Sequence, residues 1–117
     1  MGLLDRVFGK HKKDDAAVSE HAVIAHFQYG STDLSRLFAL EEELEQAIVA
    51  AGVGEFDGNE VAADGGDGSL YMYGPDADRL FSAVRPVLER TDFMRGARVK
   101  LRYGPPLAGV KEIEIDL

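Results

Sequence analysis

Between residues 55 and 81 the sequence reads EFDGNEVAADGGDGSLYMYGPDADRLF, which sets Asp57, Glu60, Asp64 and Asp67 among glycines. Carboxylates this dense can offer oxygen ligands to calcium or magnesium. An EF-hand loop counted from Asp57 needs acidic or amide side chains at alternate positions and Glu at the twelfth. Asn59 fits that pattern, but Val61 and Gly68 do not. GGDGS lacks the later Asp of the calcium-binding nonapeptide repeat and occurs once. The stretch therefore reads as a solvated hairpin turn with no metal, followed by a helix start. Phosphate chemistry fits no better, because DGGDG joins two strands and GPDAD puts acids where a phosphate would sit at a helix N-terminus. No GxxxxGK[ST] or GxGxxG string occurs, so neither a nucleotide nor any other cofactor is expected.

Nucleophilic chemistry has few candidates. There is no Cys, which removes disulfides, thiolate metal sites and a thiol nucleophile together. Ser19, Ser31, Ser35, Ser69 and Ser82 lie in no nucleophile elbow. His21 and His26 differ by an odd number, so one continuous strand points them to opposite faces. His26 with Tyr71 or Tyr73 forms an acid–base site only if they share a face. Ordinary polar cover on a sheet is the simpler account of all three.

The elements that would carry these residues are easier to read. The chain of 117 residues, 45% apolar and 29% charged, suits one soluble domain with a single core. Its net charge of −8 divides into +2 over residues 1–14 and −10 over the rest. An acidic body with no basic–aromatic stripe repels phosphate backbones, so no nucleic acid is expected. No apolar run approaches the ~20 residues of a membrane span. MGLLDRVFGK interrupts its apolar start with Asp5 and Arg6, unlike a signal peptide, and the cytoplasm is the expected location.

Residues 1–9 read as an amphipathic arm: if the arm is helical, Leu3, Leu4, Val7 and Phe8 share one side, and Lys10, Lys12 and Lys13 follow as a basic cluster. Such an arm is expected as a frayed or self-docked tail, the alternative being weak attachment at the inner face of a membrane or docking on a partner. Arg6 stands where myristoylation expects Ser or Thr. Residues 10–21 lack periodicity and read as a flexible linker, and 22–117 as one domain.

From Ala22 the period is two: Val23, Ala25, Phe27 and Tyr29 alternate with Ile24, His26 and Gln28. Ser31, Thr32 or Asp33 can cap the helix that follows. Its apolar stripe is Leu34, Leu37, Phe38, Leu44, Ile48 and Ala51, ending near Gly52, with Glu41 the acid closest to the seam. Strands are expected around 55–63, loosened by Gly58, and at 69–73, joined by the Asp-Gly turn. Pro75 and Asp76 open a second helix with Ala77, Leu80, Phe81, Val84, Val87 and Leu88 on one side. Pro86 is expected to kink it or loosen its last turn.

ARVKLRY and KEIEIDL then alternate so regularly that one antiparallel register is specified. Val99 faces Ile115 and Leu101 faces Ile113, while Arg98, Lys100 and Arg102 meet Asp116, Glu114 and Glu112. Each exposed ion pair contributes ~0.2–1 kcal/mol, which selects the register more than it stabilises the fold.

The order β-α-β-β-α-β-β predicts an α+β, ferredoxin-like two-layer sandwich: an antiparallel sheet in the order 5-4-1-3-2 with two helices on one face. The run GEFDGNE, GSLYMYGPDADRLF and VRPVLER resembles small bacterial proteins of unknown function with a ferredoxin-like domain, over roughly residues 22–104. Those motifs carry the fold, and the resemblance implies no activity.

The uncovered sheet face is then the best functional surface. It should present Ile24, His26 and Gln28 beside Arg98, Lys100 and Arg102, and either Tyr71 with Tyr73 or Leu70 with Met72. A mixture of charge, amide and aromatic groups suits protein contact more than catalysis. The expectation is a non-enzymatic domain binding a protein partner or itself, as a homodimer, through that face or a sheet edge. A small-ligand regulatory domain is the alternative, and an enzyme using His26 and a tyrosine the third reading.

Overall fold

The computed structural model describes residues 20–117. The arm residues Leu3, Leu4, Val7, Phe8, Lys10, Lys12 and Lys13, and the linker as far as Ser19, lie outside the described residues. The elements are β1 (His21–Gln28), α1 (Ser35–Ala51), β2 (Glu55–Val61), β3 (Asp67–Gly74) and α2 (Ala77–Glu89). A short 3-10 turn (Asp92–Met94) precedes β4 (Arg98–Arg102) and β5 (Glu112–Asp116). Every strand pair is antiparallel and the order is β2-β3-β1-β4-β5, the expected order read from its other edge. The described residues form an α+β sandwich of one sheet and two helices.

One layer of apolar side chains joins sheet to helices. Val23, Ala25 and Phe27 of β1, Leu70 and Met72 of β3 and Val99 and Leu101 of β4 are buried on the same side. They meet Leu37, Leu40, Leu44 and Ile48 of α1 and Leu80, Val84 and Leu88 of α2. The stripe on α1 departs from expectation at two positions. Phe38 is 55% exposed and Ala51 is exposed, while Leu40 is buried. The 3, 4 and 4 spacing of Leu37, Leu40, Leu44 and Ile48 follows the helical period and carries Phe38 round to the wet side.

Helix ends follow the local chemistry closely. Asp33 Oδ1 accepts from Ser35 N and Ser35 Oγ at 3.0 and 2.7 Å, while the cap position of α1 falls on Leu34, which has no side-chain cap bond, and not on Ser31, Thr32 or Asp33. These bonds hold the Asp33 carboxyl below its ordinary range, the Ser35 side chain first and its amide second. At the other end Gly52 takes the left-handed conformation and its N–H reaches Ile48 O and Val49 O. Asp76 is the cap of α2, accepting from Asp78 N and Arg79 N, which moves Pro75 outside the helix. Pro86 does not end α2: the helix continues to Glu89, and Arg90 N reaches Pro86 O.

The acidic hairpin has a structural use. Asp64 Oδ1 accepts from Gly66 N, and the carbonyls of Gly65 and Gly66 receive the backbone N–H groups of Tyr29, Gly30 and Ser31. The turn thereby fastens the loop leaving β1. Gly65 has φ +75°, and a Cβ there would lie 2.1 Å from Ser31 O. No larger residue fits this approach. Gly58 follows a shift in the β2–β3 register that leaves Asp57 as the extra residue.

Candidate functional site

Backbone register arranges the uncovered face in rows across the sheet. Glu55, Tyr73, Ala22, Arg102 and Glu112 make one row, and Gly58, Tyr71, Ile24, Lys100 and Glu114 the next. Glu60, Ser69, His26, Arg98 and Asp116 make the third. Side chains directly opposite in a ladder share a face, so Tyr71 and Tyr73 stand beside Ile24 and His26. Leu70 and Met72 are fully buried beneath the helices. The sheet therefore brings together Ile24, His26, Gln28, Tyr71, Tyr73, Arg98, Lys100 and Arg102. His21 and His26 do take opposite faces: His21 Nδ1 accepts from Ala77 N at the start of α2.

His26 is held by groups that sequence reading did not join to it. Its Nδ1 lies 3.0 Å from Ser69 Oγ and its Nε2 lies 3.2 Å from Asp67 Oδ2. With Asp67 as the acceptor, Nε2 carries the proton and Nδ1 is left to accept from the Ser69 hydroxyl. Tyr71 donates to Glu60 Oε1 at 2.6 Å, not to His26. That bond, with burial second, raises the Tyr71 hydroxyl above its ordinary range, and the neighbouring Ser69 side chain opposes the rise. The Asp67–His26–Ser69 order has the connectivity of a nucleophile with its base. It lacks the other half of such a site. Ser69 pairs with strands on both sides, so among the described residues the backbone N–H groups of its own strand are spent in the ladders and offer no backbone donor to a developing oxyanion. The His26 and Asp67 side chains are also half exposed to water.

The basic strand is less free than its sequence suggests. Arg98 lies 3.3 Å from Asp116 and 3.7 Å from Glu114, and Lys100 lies 3.8 Å from Glu112. The backbone pairing is the expected one, yet Lys100 leans to Glu112 instead of Glu114. Strand twist brings such diagonal neighbours within reach of long side chains. Arg102 donates to Gly104 O at 2.7 Å in the loop after β4. The Arg98 and Lys100 side chains remain 62% and 41% exposed, and Arg102 is half-buried. Ile24, His26, Gln28, Ser69, Arg98 and Lys100 border a shallow depression of about 420 Å³ on this face.

A second depression, of about 430 Å³, lies where Val53 meets Asp78, Arg79 and Ser82 of α2. Among the described residues no three His, Asp or Glu side chains gather as metal ligands. No helix among them is long and apolar enough to cross a membrane. No protein-family model matches the chain, and comparison with curated proteins gives no match.

Ser69 and Asp67 were within reach of sequence reasoning in part. Their alternation with Leu70 and Gly68 puts them on one side of β3. Joining them to His26 needs the β1–β3 register, and no turn connects those two strands to set it.

Proposed function

We propose that the chain is a non-enzymatic domain that binds protein through the uncovered face of its sheet, with a second copy of itself as the partner. The observation carrying this reading is the composition of the three rows. Ile24, half-buried, lies on the central strand, with Tyr71 and Tyr73 on one side and Arg98, Lys100 and Arg102 on the other. Aromatic rings, arginine and an aliphatic centre are the residue types enriched where proteins meet. The depression on this face is half open to solvent and lined largely by polar and charged side chains, a lining that suits a protein surface more than an enclosed apolar ligand. The half-exposed Asp67–His26–Ser69 set, without an oxyanion donor, does not favour the enzyme reading.

Light scattering on the full chain over a range of concentrations tests the proposal. The expected result is a species of twice the chain mass that Ile24→Asp converts to monomer. A chain that stays monomeric throughout rejects self-association, and a dimer indifferent to Ile24→Asp moves the contact off this face.

A further inference from the structure

Resting on that reading, we infer that the two copies stack sheet on sheet about a two-fold axis running along β1. Only a few symmetric arrangements are open to two sheets placed face to face. An axis in the interface but across the strands lays β4 on its own copy and sets Arg98, Lys100 and Arg102 against a second set of cations. An axis along β1 reverses each row onto itself. β3 of one copy then lies over β4 of the other, and β1 lies over β1.

The register states what meets. Tyr71 and Lys100 are both level with Ile24, and Tyr73 and Arg102 are both level with Ala22. Rotation about β1 therefore places the Tyr71 ring over Lys100 and the Tyr73 ring over Arg102, twice each by symmetry. A cation over a tyrosine face is attractive, more so once water is excluded. On the axis Ile24 faces Ile24. Glu55 and Glu60 come near the β5 acids only at the rim, where the ~30° rotation between packed sheets spreads the corners apart.

The size is adequate for a reversible dimer. Five strands ~4.8 Å apart and five to eight residues long at ~3.4 Å each give a footprint of about 24 by 17–27 Å. With the corners spread apart the contact lies at the low end of specific interfaces, the size of weak and reversible associations.

The chain has no Cys, so single-thiol variants test the geometry directly. Full-length Ile24→Cys, and separately Gln28→Cys, should cross-link to themselves with a short bis-maleimide, while Ala50→Cys on the outer side of α1 should not. Tyr71→Cys mixed with Lys100→Cys should give a cross-linked heterodimer in greater yield than either alone. Lys100→Glu should weaken the dimer by about tenfold or more, since two related contacts are lost. A light-scattering dimer in which neither Ile24→Cys nor Gln28→Cys cross-links overturns the stacking and leaves self-association standing. A full chain that is monomeric at every concentration overturns both and gives the face to a different partner.

Discussion

Tyr103 donates its hydroxyl to Asp78 Oδ1 at 2.6 Å, tying the residue after β4 to the first turn of α2. The contact closes one end of the sandwich. His21 sets its ring edge-on to Tyr103 with centroids 5.8 Å apart, and the Lys111 ammonium lies 4.9 Å from the ring centroid. Three segments distant in sequence thus share one aromatic ring.

The Asp78 carboxylate, with burial second, pushes the Tyr103 hydroxyl up to about 12. Below about pH 10 the hydroxyl is protonated in folded and unfolded chains alike, and the contact contributes fully. As pH rises toward about 12 the unfolded chain loses its proton first, so this contribution declines and is gone above the folded value. Spectrophotometric titration of the four tyrosines should find one ionising near 12, moving down in Asp78→Ala. Urea midpoints should fall less steeply in Tyr103→Phe over the same window. A shallower slope remains in that variant, because Tyr71 is shifted the same way by Glu60.

Gly65 and Gly109 both have positive φ, but only Gly65 is crowded: a Cβ at Gly109 meets nothing within 4 Å. Gly109→Ala should cost about 1 kcal/mol, the conformational penalty alone. Gly65→Ala should cost clearly more, because it also separates the turn from Ser31 and the loop after β1. Urea denaturation of the two variants side by side isolates the steric part; equal losses would show that the turn shifts without cost.

Ser69 and Leu70 are chain neighbours on opposite faces of β3. Leu70→Ala should destabilise by ~2–5 kcal/mol, the usual cost of emptying a core position. Ser69→Ala, although it removes the partner of His26 Nδ1, should cost under ~1 kcal/mol, because water replaces an exposed hydrogen bond. Should Ser69→Ala prove as costly as Leu70→Ala, the polar chain across β1 and β3 would be a structural element in its own right.

Leu37 and Phe38 offer the same contrast on α1. Phe38→Asp should change stability by no more than ~0.5 kcal/mol. Leu37→Ala should lose ~2–5 kcal/mol. Denaturation curves that penalise Phe38→Asp comparably would mean that the exposed ring is covered in solution.

The ease of reading the chain tracked how local its constraints are. β4 and β5 carry complementary alternation on two nearby strands, so every backbone partner from Arg98–Asp116 to Arg102–Glu112 follows from pattern alone. Side-chain partners did not follow, because Lys100 reaches diagonally to Glu112 and Arg102 to a loop carbonyl. Phe38 was misplaced because hydrophobicity says that a side chain can be buried, whereas the helical period decides whether it is. The choice between Tyr71 with Tyr73 and Leu70 with Met72 stayed open for a different reason. Both pairs are apolar enough for a core, and only the neighbouring strand settles which faces the helices. The Asp67–His26–Ser69 chain was hardest to see, since its members meet through a pairing that no intervening turn dictates.

The central position of β1 has a temporal meaning as well. It is made before every other strand of the described domain, yet His26 waits 43 residues for Ser69, and Ala22 waits for Arg102. A ribosome-bound chain thus holds its most apolar strand without a neighbour until β3 has emerged, and with one edge open until β4 follows. Pairing across such separations slows folding and leaves strand edges bare in the interval. The β2–β3 and β4–β5 hairpins are the exceptions, each able to zip locally as soon as it is synthesised. The nascent domain would need protection for β1 longest, and a pause in synthesis before β4 would be more hazardous to it than one after.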